Sequence, residues 1–211
     1  SDLNAWVGLF AEFAECFGIK ADKNKLFSTL YQKAMEGDKD CGGMIACNYY
    51  SGEPVTGLEE GRPMFLRRPD SHLGLANFMR SHLYASLVTL KIGLDILLKE
   101  EDVKIDSITG HGGLFKTKGV GQSILAAAMN APISVMETAG EGGAWGMALL
   151  AAYMLFKKDG QSLGDYLDSR VFAERKSETM EPDPADVAGF ETYTKQYQAC
   201  LAAEKAAVQA F

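Results

Sequence analysis

The part of the sequence between residues 103 and 157 repeats one order of elements: a short apolar strand, a glycine-rich loop and a helix. The first unit has its strand at residues 103–109, its loop at 110–113 and its helix at 118–129; the second has its strand at 133–136, its loop at 137–143 and a helix that ends near residue 157. Two such units in succession are typical of an α/β fold with parallel strands. Ligands of these sheets bind at the carboxyl ends of the strands, where both glycine loops lie.

The rest of the sequence predicts helices around this unit. Apolar residues at three- and four-residue spacing indicate one long helix at residues 73–100, roughly 40 Å in length at 1.5 Å per residue. Before it, the sequence predicts a helix at residues 2–17, capped by Ser1 or Asp2 and ended by Gly18, and a second helix at 24–36. A strand at 42–50 and a turn-rich loop at 51–71 follow. The last predicted helix, at 186–208, comes after the helix-breaking residues 181–184. We expect one domain over residues 1–211. Because the sequence enters a helix at once, we also expect that domain to be truncated at its N-terminal edge.

Charge and cysteine content narrow the class of protein. The net charge of −7 would repel a polyanion, so we expect no nucleic acid partner. The four cysteines, Cys16, Cys41, Cys47 and Cys200, form no Cys-x-x-Cys pair, and we interpret them as buried thiols in a reducing cytosol. The longest apolar stretch, residues 146–156, is shorter than the roughly 20 residues of a membrane helix, and no signal peptide pattern opens the chain. We therefore expect a cytoplasmic protein with no membrane partner.

The first glycine loop, residues 110–117, reads G-H-G-G-L-F-K-T. A strand-to-helix loop of this kind lets the backbone approach a ligand and aims free N–H groups at an anion. The loop nearly matches a P-loop, but Phe115 stands where a P-loop has glycine, and its side chain would crowd a phosphate. A glycine turn that serves only packing is the other interpretation.

The second glycine loop, residues 138–146, reads T-A-G-E-G-G-A-W-G and faintly resembles a dinucleotide-binding fingerprint. Its spacing is one residue too long, and no acidic residue follows at the expected distance, so a Rossmann oxidoreductase is disfavoured. The alternative interpretation is that Gly143, Ala144 and Gly146 let the following helix pack closely on the sheet, which is compatible with a nearby nucleotide.

No catalytic base can be identified among the titratable residues of the sequence. His82 lies near the apolar face of the long helix and is predicted to be packed, and His111 stands between glycines without an expected role in catalysis. The carboxylates of Glu53, Glu59 and Glu60 are interpreted as solvated loop charges. No histidine lies at a zinc-ligand spacing from the cysteines, and we predict no metal ligand in this chain.

Four stretches in order resemble the C-terminal, nucleotide-binding domain of the FGGY carbohydrate kinases. Residues 50–54, Y-S-G-E-P, are similar to the family's Y-L-S-G-E-R-x-P, and residues 77–80, N-F-M-R, with the helix after them, are similar to H-x-x-R-A-x-x-E-G. Residues 108–113, I-T-G-H-G-G, resemble the strand and "GG" of the adenosine motif, and residues 143–148, G-A-W-G-M-A, resemble G-A-L-G-A-A. The match spans nearly the whole chain and is xylulose kinase-like.

The resemblance implies a ribonuclease H-like (actin-like ATPase) domain that binds ATP, with Mg²⁺ bridging the phosphates. The sugar site and the catalytic aspartate of the family lie in an N-terminal domain, so this chain alone is expected to be inactive. The cofactor-binding residues implied are Gly112 and Gly113 against the ribose and phosphates, Thr117 near the adenine, Gly74 and Asn77 in the adenine pocket, and Gly143 and Ala144 behind the adenosine.

Some residues depart from the family pattern. Ser81 and Tyr84 follow the helix arginine where alanine and glutamate are frequent, and Leu114 and Phe115 replace small or polar residues after "GG". No Gly-Thr phosphate motif precedes Leu3. The sequence therefore predicts ATP-dependent phosphorylation of a ketose or polyol, xylulose foremost, by the full-length protein, with a homodimer as the candidate assembly. The alternative is a catalytically inactive nucleotide-binding or regulatory module of the same fold.

Overall fold

The computed structural model describes residues 1–101, 103, 105, 108–136, 142–173 and 177–210. In these ranges the helices are α1 (Asp2–Cys16), α2 (Lys23–Ala34), α3 (Leu75–Lys99), α4 (Val120–Met129), α5 (Gly142–Phe156), α6 (Leu163–Tyr166) and α7 (Pro184–Ala210). The strands are β1 (Met44–Cys47), β2 (Met64–Arg67), β3 (Ile108–Gly110), β4 (Ile133–Met136) and β5 (Ser177–Met180). Short 3₁₀ turns lie at Cys41–Gly43, Pro54–Thr56 and Gly113–Lys116, and a π-helical turn lies at Leu167–Val171.

The strands form two small sheets. β1 pairs with β2 in antiparallel fashion, and the second sheet has the order β3-β4-β5, with β3 parallel and β5 antiparallel to β4. The parallel pair confirms the arrangement predicted from the repeated strand–loop–helix unit. The assignment of the whole stretch 51–71 to a loop was wrong, because β2 lies within it, and β5 was not predicted. Both are four-residue strands that form by pairing with a partner distant in the sequence, so local propensity alone does not reveal them.

Helix α3 lies at the centre of the core. Its buried residues, among them Met79, Leu83 and Val88, belong to one apolar cluster with residues of α2, β1, α4 and α7. By length and composition the span Leu75–Leu98 could cross a membrane, but 44% of its most apolar window is buried within the protein, as in the core helix of a globular domain. This span is longer than the apolar stretch at 146–156 that the sequence analysis singled out.

Helix α1 is attached to α3 by an aromatic cluster. His82, only 1% exposed, lies against the rings of Trp6 and Phe78, which confirms its prediction as a packed residue. The Asp2 carboxylate accepts a hydrogen bond from the Trp6 indole at 3.0 Å and lies 3.3 Å from Nδ1 of His82. Ser1 occupies the N-cap position without a side-chain capping bond. Ser1 is therefore the N-cap residue, one of the two predicted, but its side chain does not cap the helix, and the Asp2 side chain bonds to Trp6 instead.

Helix α7 is fixed at its N-terminus by buried charge. The Asp183 carboxylate accepts hydrogen bonds from two backbone N–H groups of the first turn, those of residues 185 and 186. In the same first turn, Asp186 is buried and forms ion pairs with the buried guanidinium of Arg80 and, at 2.8 Å, with Lys39. These contacts join α7 to α3 and to the segment after α2.

The four cysteines are free thiols in different surroundings. Cys41 and Cys47 are fully buried, and burial raises the pKa of the Cys47 thiol to about 12. Cys200 is half-buried and Cys16 is exposed. The prediction of buried cysteines was therefore wrong for Cys16, because α1 packs on the core through the face that carries Val7 and leaves its last turn in solvent.

Candidate functional site

The two glycine loops meet at one edge of the second sheet. β3 and β4 are parallel, so their carboxyl ends, Gly110 and Met136, lie at the same edge. Beyond them the His111 ring packs against Gly142, where an added Cβ would lie 3.1 Å from Nδ1. Residues 137–141 of the second loop lie outside the described residues. The ends of the loops that are described confirm that both lie at the carboxyl edge, where α/β sheets bind ligands.

The backbone at Gly112 and Gly113 borders open space. Gly112 has a φ of +109°, in the left-handed region that favours glycine. A Cβ added to either residue would have no atom of the described residues within 4 Å. Gly113 then begins the 3₁₀ turn Gly113–Lys116. The pair therefore presents exposed backbone to which a ligand could come close.

The bulky residues after this pair turn inward. The tip of the Phe115 ring lies over Gly110, where an added Cβ would be 2.3 Å from Cζ, and Leu114 packs in the same way against Gly121, with its Cγ 2.8 Å from an added Cβ. Because the Phe115 ring occupies the space beside Gly110, this glycine cannot cradle a phosphate as the first glycine of a P-loop does. The same packing keeps both side chains away from the open side of Gly112.

A cavity of about 520 Å³ lies beside this loop, between the start of α4 and the strands β4 and β5. Its volume is in the range of small-molecule sites, about 300–1,000 Å³. It is lined by Phe115, Thr117, Lys118, Gly119, Gln122, Val135, Met136, Ser177 and Glu178. Apolar walls with a few polar groups are the usual composition of a site for a flat organic ring.

Two buried polar side chains face this cavity. Gln122, 5% exposed, donates through Nε2 to the carbonyl oxygens of Ile133 and Glu178, each at 2.7 Å. Thr117 is 8% exposed. Within the described ranges, neither the Gln122 Oε1 nor the Thr117 Oγ1 has a hydrogen-bond partner. Both atoms are therefore available to a ligand in the cavity.

An exposed ion pair forms part of the cavity lining. The Lys118 Nζ lies 3.0 Å from Oε2 of Glu178, and both side chains are largely exposed. Glu178 is paired in register with Val135, so the two side chains lie on the same face of the sheet, toward the cavity. An exposed pair of this kind contributes little to stability, about 0–1 kcal/mol, and can open for a ligand.

Comparison with known proteins identifies the family. Residues 1–155 match the C-terminal domain of the FGGY family of carbohydrate kinases. The chain belongs to the FGGY family. Among solved structures it resembles two kinases from Lactobacillus acidophilus, a ligand-bound xylulose kinase and a gluconate kinase, each with TM-score 0.64, 18% identity and coverage of 93% of this chain and 38% of theirs. It also resembles the Plasmodium falciparum glycerol kinase with ADP, with TM-score 0.60, 16% identity and coverage of 94% of this chain and 37% of that one.

These FGGY neighbours confirm the predicted fold class, an α/β domain of the actin-like ATPase type. The chain spans less than two-fifths of their length. No curated protein matches the sequence. The match is therefore to a domain of a sugar kinase family, and it does not name a sugar.

Within this FGGY domain, Gly74 and Asn77 lie apart from the cavity lining. Gly74 is the N-cap residue of α3. The Asn77 amide accepts from the backbone N–H of Asp38 at 2.6 Å and donates to the Asp38 carboxylate at 2.8 Å and the His72 carbonyl at 2.9 Å. Hydrogen bonds from Asn77 and His72 lower the pKa of Asp38. Asn77 thus has a structural task here, and its role in an adenine pocket stays a prediction.

Gly143 and Ala144 lie in the exposed first turn of α5. Within the part of the chain that the structure describes, a Cβ on Gly143 or on Gly146 would have no atom within 4 Å. The interpretation that these small residues allow close packing on the sheet was therefore wrong for both glycines. Besides the contact of Gly142 with His111, α5 packs on the segment after it, where Trp145 meets Phe172 with ring centroids 6.0 Å apart.

Sequence reasoning missed Gln122, Ser177 and Glu178 as cavity residues. A glutamine in the otherwise apolar helix V-G-Q-S-I-L-A-A-A-M was a signal that could have been used, since a buried amide needs partners. Nothing local marks Ser177 or Glu178, because β5 itself was not predicted.

The residues described here do not complete a catalytic site. Among them, no group of three or more histidine, cysteine or acidic side chains could hold a metal ion. The Mg²⁺ that the resemblance implies would be held chiefly by the phosphates of ATP and by water, with at most one or two carboxylates. What the site offers is a cavity, an open glycine backbone and two free hydrogen-bonding groups.

Proposed function

We propose that this chain is the adenosine-binding part of an ATP-dependent carbohydrate kinase. The observation that carries the proposal is the cavity of about 520 Å³ at the carboxyl edge of β4, next to the open backbone of Gly112 and Gly113. The adenine would enter the cavity beside Thr117, and the ribose and phosphates would run over the two glycines. Gly143 and Ala144 would lie behind the adenosine, and Gly74 and Asn77 would contribute more remotely.

The substrate proposed for the whole protein is a ketose or polyol, with xylulose first. One neighbour is a xylulose kinase, but others are gluconate and glycerol kinases. The fold therefore supports a sugar or polyol as the substrate class more strongly than it supports xylulose itself. The residues that distinguish these sugars are proposed to lie in the N-terminal domain of the family. ATP and the sugar are its small-molecule partners, and the proposed location is the cytoplasm.

Catalysis is proposed to depend on two domains. A sugar hydroxyl attacks the γ-phosphoryl group of ATP, an aspartate of the N-terminal domain accepts its proton, and ADP leaves. The proposed role of this chain is to hold the adenosine in place, so that the phosphates reach the sugar when the two domains close and water is expelled. The chain alone is therefore expected to bind nucleotide without turnover.

The alternative, an inactive module, rested on the departures at Tyr84, Leu114 and Phe115. Tyr84 is buried in the core on α3, whereas Leu114 and Phe115 directly follow the glycine pair. Since both side chains pack inward, they leave the side of Gly112 and Gly113 free. This removes the steric reason for inactivity and favours the kinase.

Sugar-dependent ADP release by the full-length protein tests the proposal, with a panel of pentuloses, gluconate, glycerol and other polyols. Turnover on one sugar, abolished in Gly113→Trp, is expected, because an indole over this open backbone would occupy the path of the phosphates. Gly8→Trp in α1, where the backbone is helical and an added Cβ has no described atom within 4 Å, serves as the control and should retain turnover. ATP binding without turnover on any sugar would favour the inactive module, and full turnover by residues 1–211 alone would contradict the two-domain division.

A further inference from the structure

We propose that Gln122 reads the exocyclic amino group of the purine base, so that the cavity selects a 6-amino purine over a 6-oxo purine. Thr117 supplies a second hydrogen bond to a ring nitrogen. The inference rests on the proposed function, because it requires that the cavity take the base of the nucleotide.

The orientation of the Gln122 amide is determined by its partners. Its Nε2 is 2.7 Å from the carbonyl oxygens of Ile133 and Glu178, and carbonyl oxygens can only accept. The flipped amide would place its oxygen against both of them, which the network excludes. The Oε1 therefore points away from β4 and β5, and in the cavity that Gln122 lines it can act only as an acceptor.

Burial makes this acceptor selective. Gln122 is 5% exposed, so a ligand that fills the cavity excludes water from Oε1 and must itself supply a donor. Adenine has an amino group at position 6, which donates. Hypoxanthine and guanine have a carbonyl oxygen there, and two acceptors would then face each other without a proton between them. A site built around a hydrogen bond rejects ligands that lack the matching group more strongly than an apolar pocket does.

The other walls fit a planar ring and add little selection of their own. Phe115, Val135 and Met136 provide apolar surface. The hydroxyl of Thr117 can donate or accept, so it can bond to a ring nitrogen of any purine. Lys118 and Glu178 are exposed, so solvent weakens their contribution. Discrimination between amino and oxo purines is therefore assigned to Gln122.

The first experiment changes the ligand and leaves the protein unmodified. Calorimetry with residues 1–211 would compare ATP, the triphosphate of purine riboside, which has hydrogen at position 6, and ITP, which has a carbonyl. Loss of one hydrogen bond to a buried group is expected to weaken binding about tenfold for the purine riboside nucleotide. For ITP, the opposed acceptors are expected to weaken it about a hundredfold. Equal affinities for the three would overturn the inference and leave the proposed function standing.

The second experiment changes the side chain. In Gln122→Met the preference for ATP over ITP should disappear, with a ratio of the two affinities of about one. The matched control Gln198→Met, on the exposed face of α7, should keep the preference. Thr117→Val should weaken all three nucleotides by a similar factor, about fivefold, and keep the preference. If Gln122→Met does not fold, as shown by the loss of a cooperative unfolding transition, the comparison of the three nucleotides with the unmodified protein decides the inference. Absence of binding by every nucleotide at millimolar concentration would overturn the proposed function and this inference together.

Discussion

At the scale of single residues, the loop after β3 depends on one close contact. The Phe115 ring fits only because Gly110 has no side chain, since an added Cβ would lie 2.3 Å from the ring tip. With the ring in this place, Phe115 forms a wall of the cavity and leaves Gly112 exposed. The contact between Gly110 and Phe115 therefore determines both the shape of the proposed base cavity and the access of the phosphates to Gly112.

We predict that Gly110→Ala destabilises the domain and weakens nucleotide binding. The added methyl group must displace the Phe115 ring, and overpacking of this kind costs typically about 1–3 kcal/mol. Gly113→Ala is the matched control, because a Cβ there has no atom within 4 Å. Urea unfolding of both variants measures the difference. Equal stability of Gly110→Ala and Gly113→Ala would contradict the contact.

A second prediction at this scale concerns the buried carboxyl of Glu204. Burial raises its pKa, although its Oε1 accepts a hydrogen bond of 2.5 Å from the backbone N–H of Arg62; its Oε2 has no hydrogen-bond partner among the described residues. A raised pKa in the folded state means that the stability from this group is complete below its unfolded pKa of about 4.3 and is lost as the pH rises through the folded pKa. Stability should therefore decline from pH 4 toward neutral pH at this site.

Glu204→Gln should remove that decline, since the neutral amide keeps an acceptor for Arg62 and carries no charge. We expect a gain of about 1 kcal/mol at pH 7 and no gain at pH 4. Thermal unfolding of both proteins between pH 4 and pH 8 measures it. The interpretation fails if the gain is the same at both pH values.

At the scale of elements, α7 crosses the segment after α2 at one small residue. Gly189 lies so close to this segment that an added Cβ would be 2.1 Å from the carbonyl oxygen of Lys39. The buried ion pairs of Asp186 with Arg80 and Lys39 are one turn away. The close crossing therefore brings Lys39 within reach of the helix and positions the charged cluster.

Alanine substitutions in two helices test the crossing. Gly189→Ala removes a helix-destabilising glycine but forces α7 away from backbone, so we expect a net loss of about 2 kcal/mol or more. Gly8→Ala in α1, where an added Cβ has no atom within 4 Å, should instead gain about 0.5–1 kcal/mol. Denaturant midpoints of the two variants should thus move in opposite directions. A gain in both would show that α7 does not pack this closely.

The elements differed in how far the sequence determined them. The period of apolar residues in α3 and the Ala, Glu and Lys content of α7 are local properties, so the sequence predicted both helices to within about two residues of their ends. The β3–β4 pair followed from the repeated unit. β2 and β5 depend on pairing with distant strands, and their short sequences, M-F-L-R and S-E-T-M, have no distinctive pattern.

The site was predicted in the same uneven way. Gly112, Gly113 and Thr117 came from one loop whose glycines and family resemblance are visible in the sequence. The sequence gives no direction for the side chains of Leu114 and Phe115, because only the positions of Gly121 and Gly110 show that they turn inward. Glu178 enters the cavity through the register of β5 on β4, which is a tertiary property.

At the scale of the whole molecule, α5 leaves a large apolar surface uncovered. Met147, Met154 and Leu155 are 69%, 76% and 77% exposed, and no described residue of this helix is buried. A contiguous apolar face of this kind promotes aggregation when it is open to solvent. The effect should be visible in the behaviour of residues 1–211 in solution.

We predict that Met154→Lys combined with Leu155→Glu raises the solubility of residues 1–211 and lowers the binding of an apolar dye, without a change in melting temperature above about 2 °C. The control is Lys157→Glu with Lys158→Glu, which changes charge next to the same helix without removing apolar area. Dye fluorescence and light scattering measure the effect. The same improvement in the control would assign it to charge instead of the apolar face.

The central claim is that the cavity beside Thr117 takes the base of ATP while Gly112 and Gly113 face the phosphates. A crystal structure of residues 1–211 with ADP tests it most directly. The account predicts the adenine within 3.2 Å of the Gln122 Oε1, a hydrogen-bond distance, and the phosphates over the glycine pair. The claim would be contradicted if ADP were bound elsewhere in the crystal and the cavity did not contain the adenine.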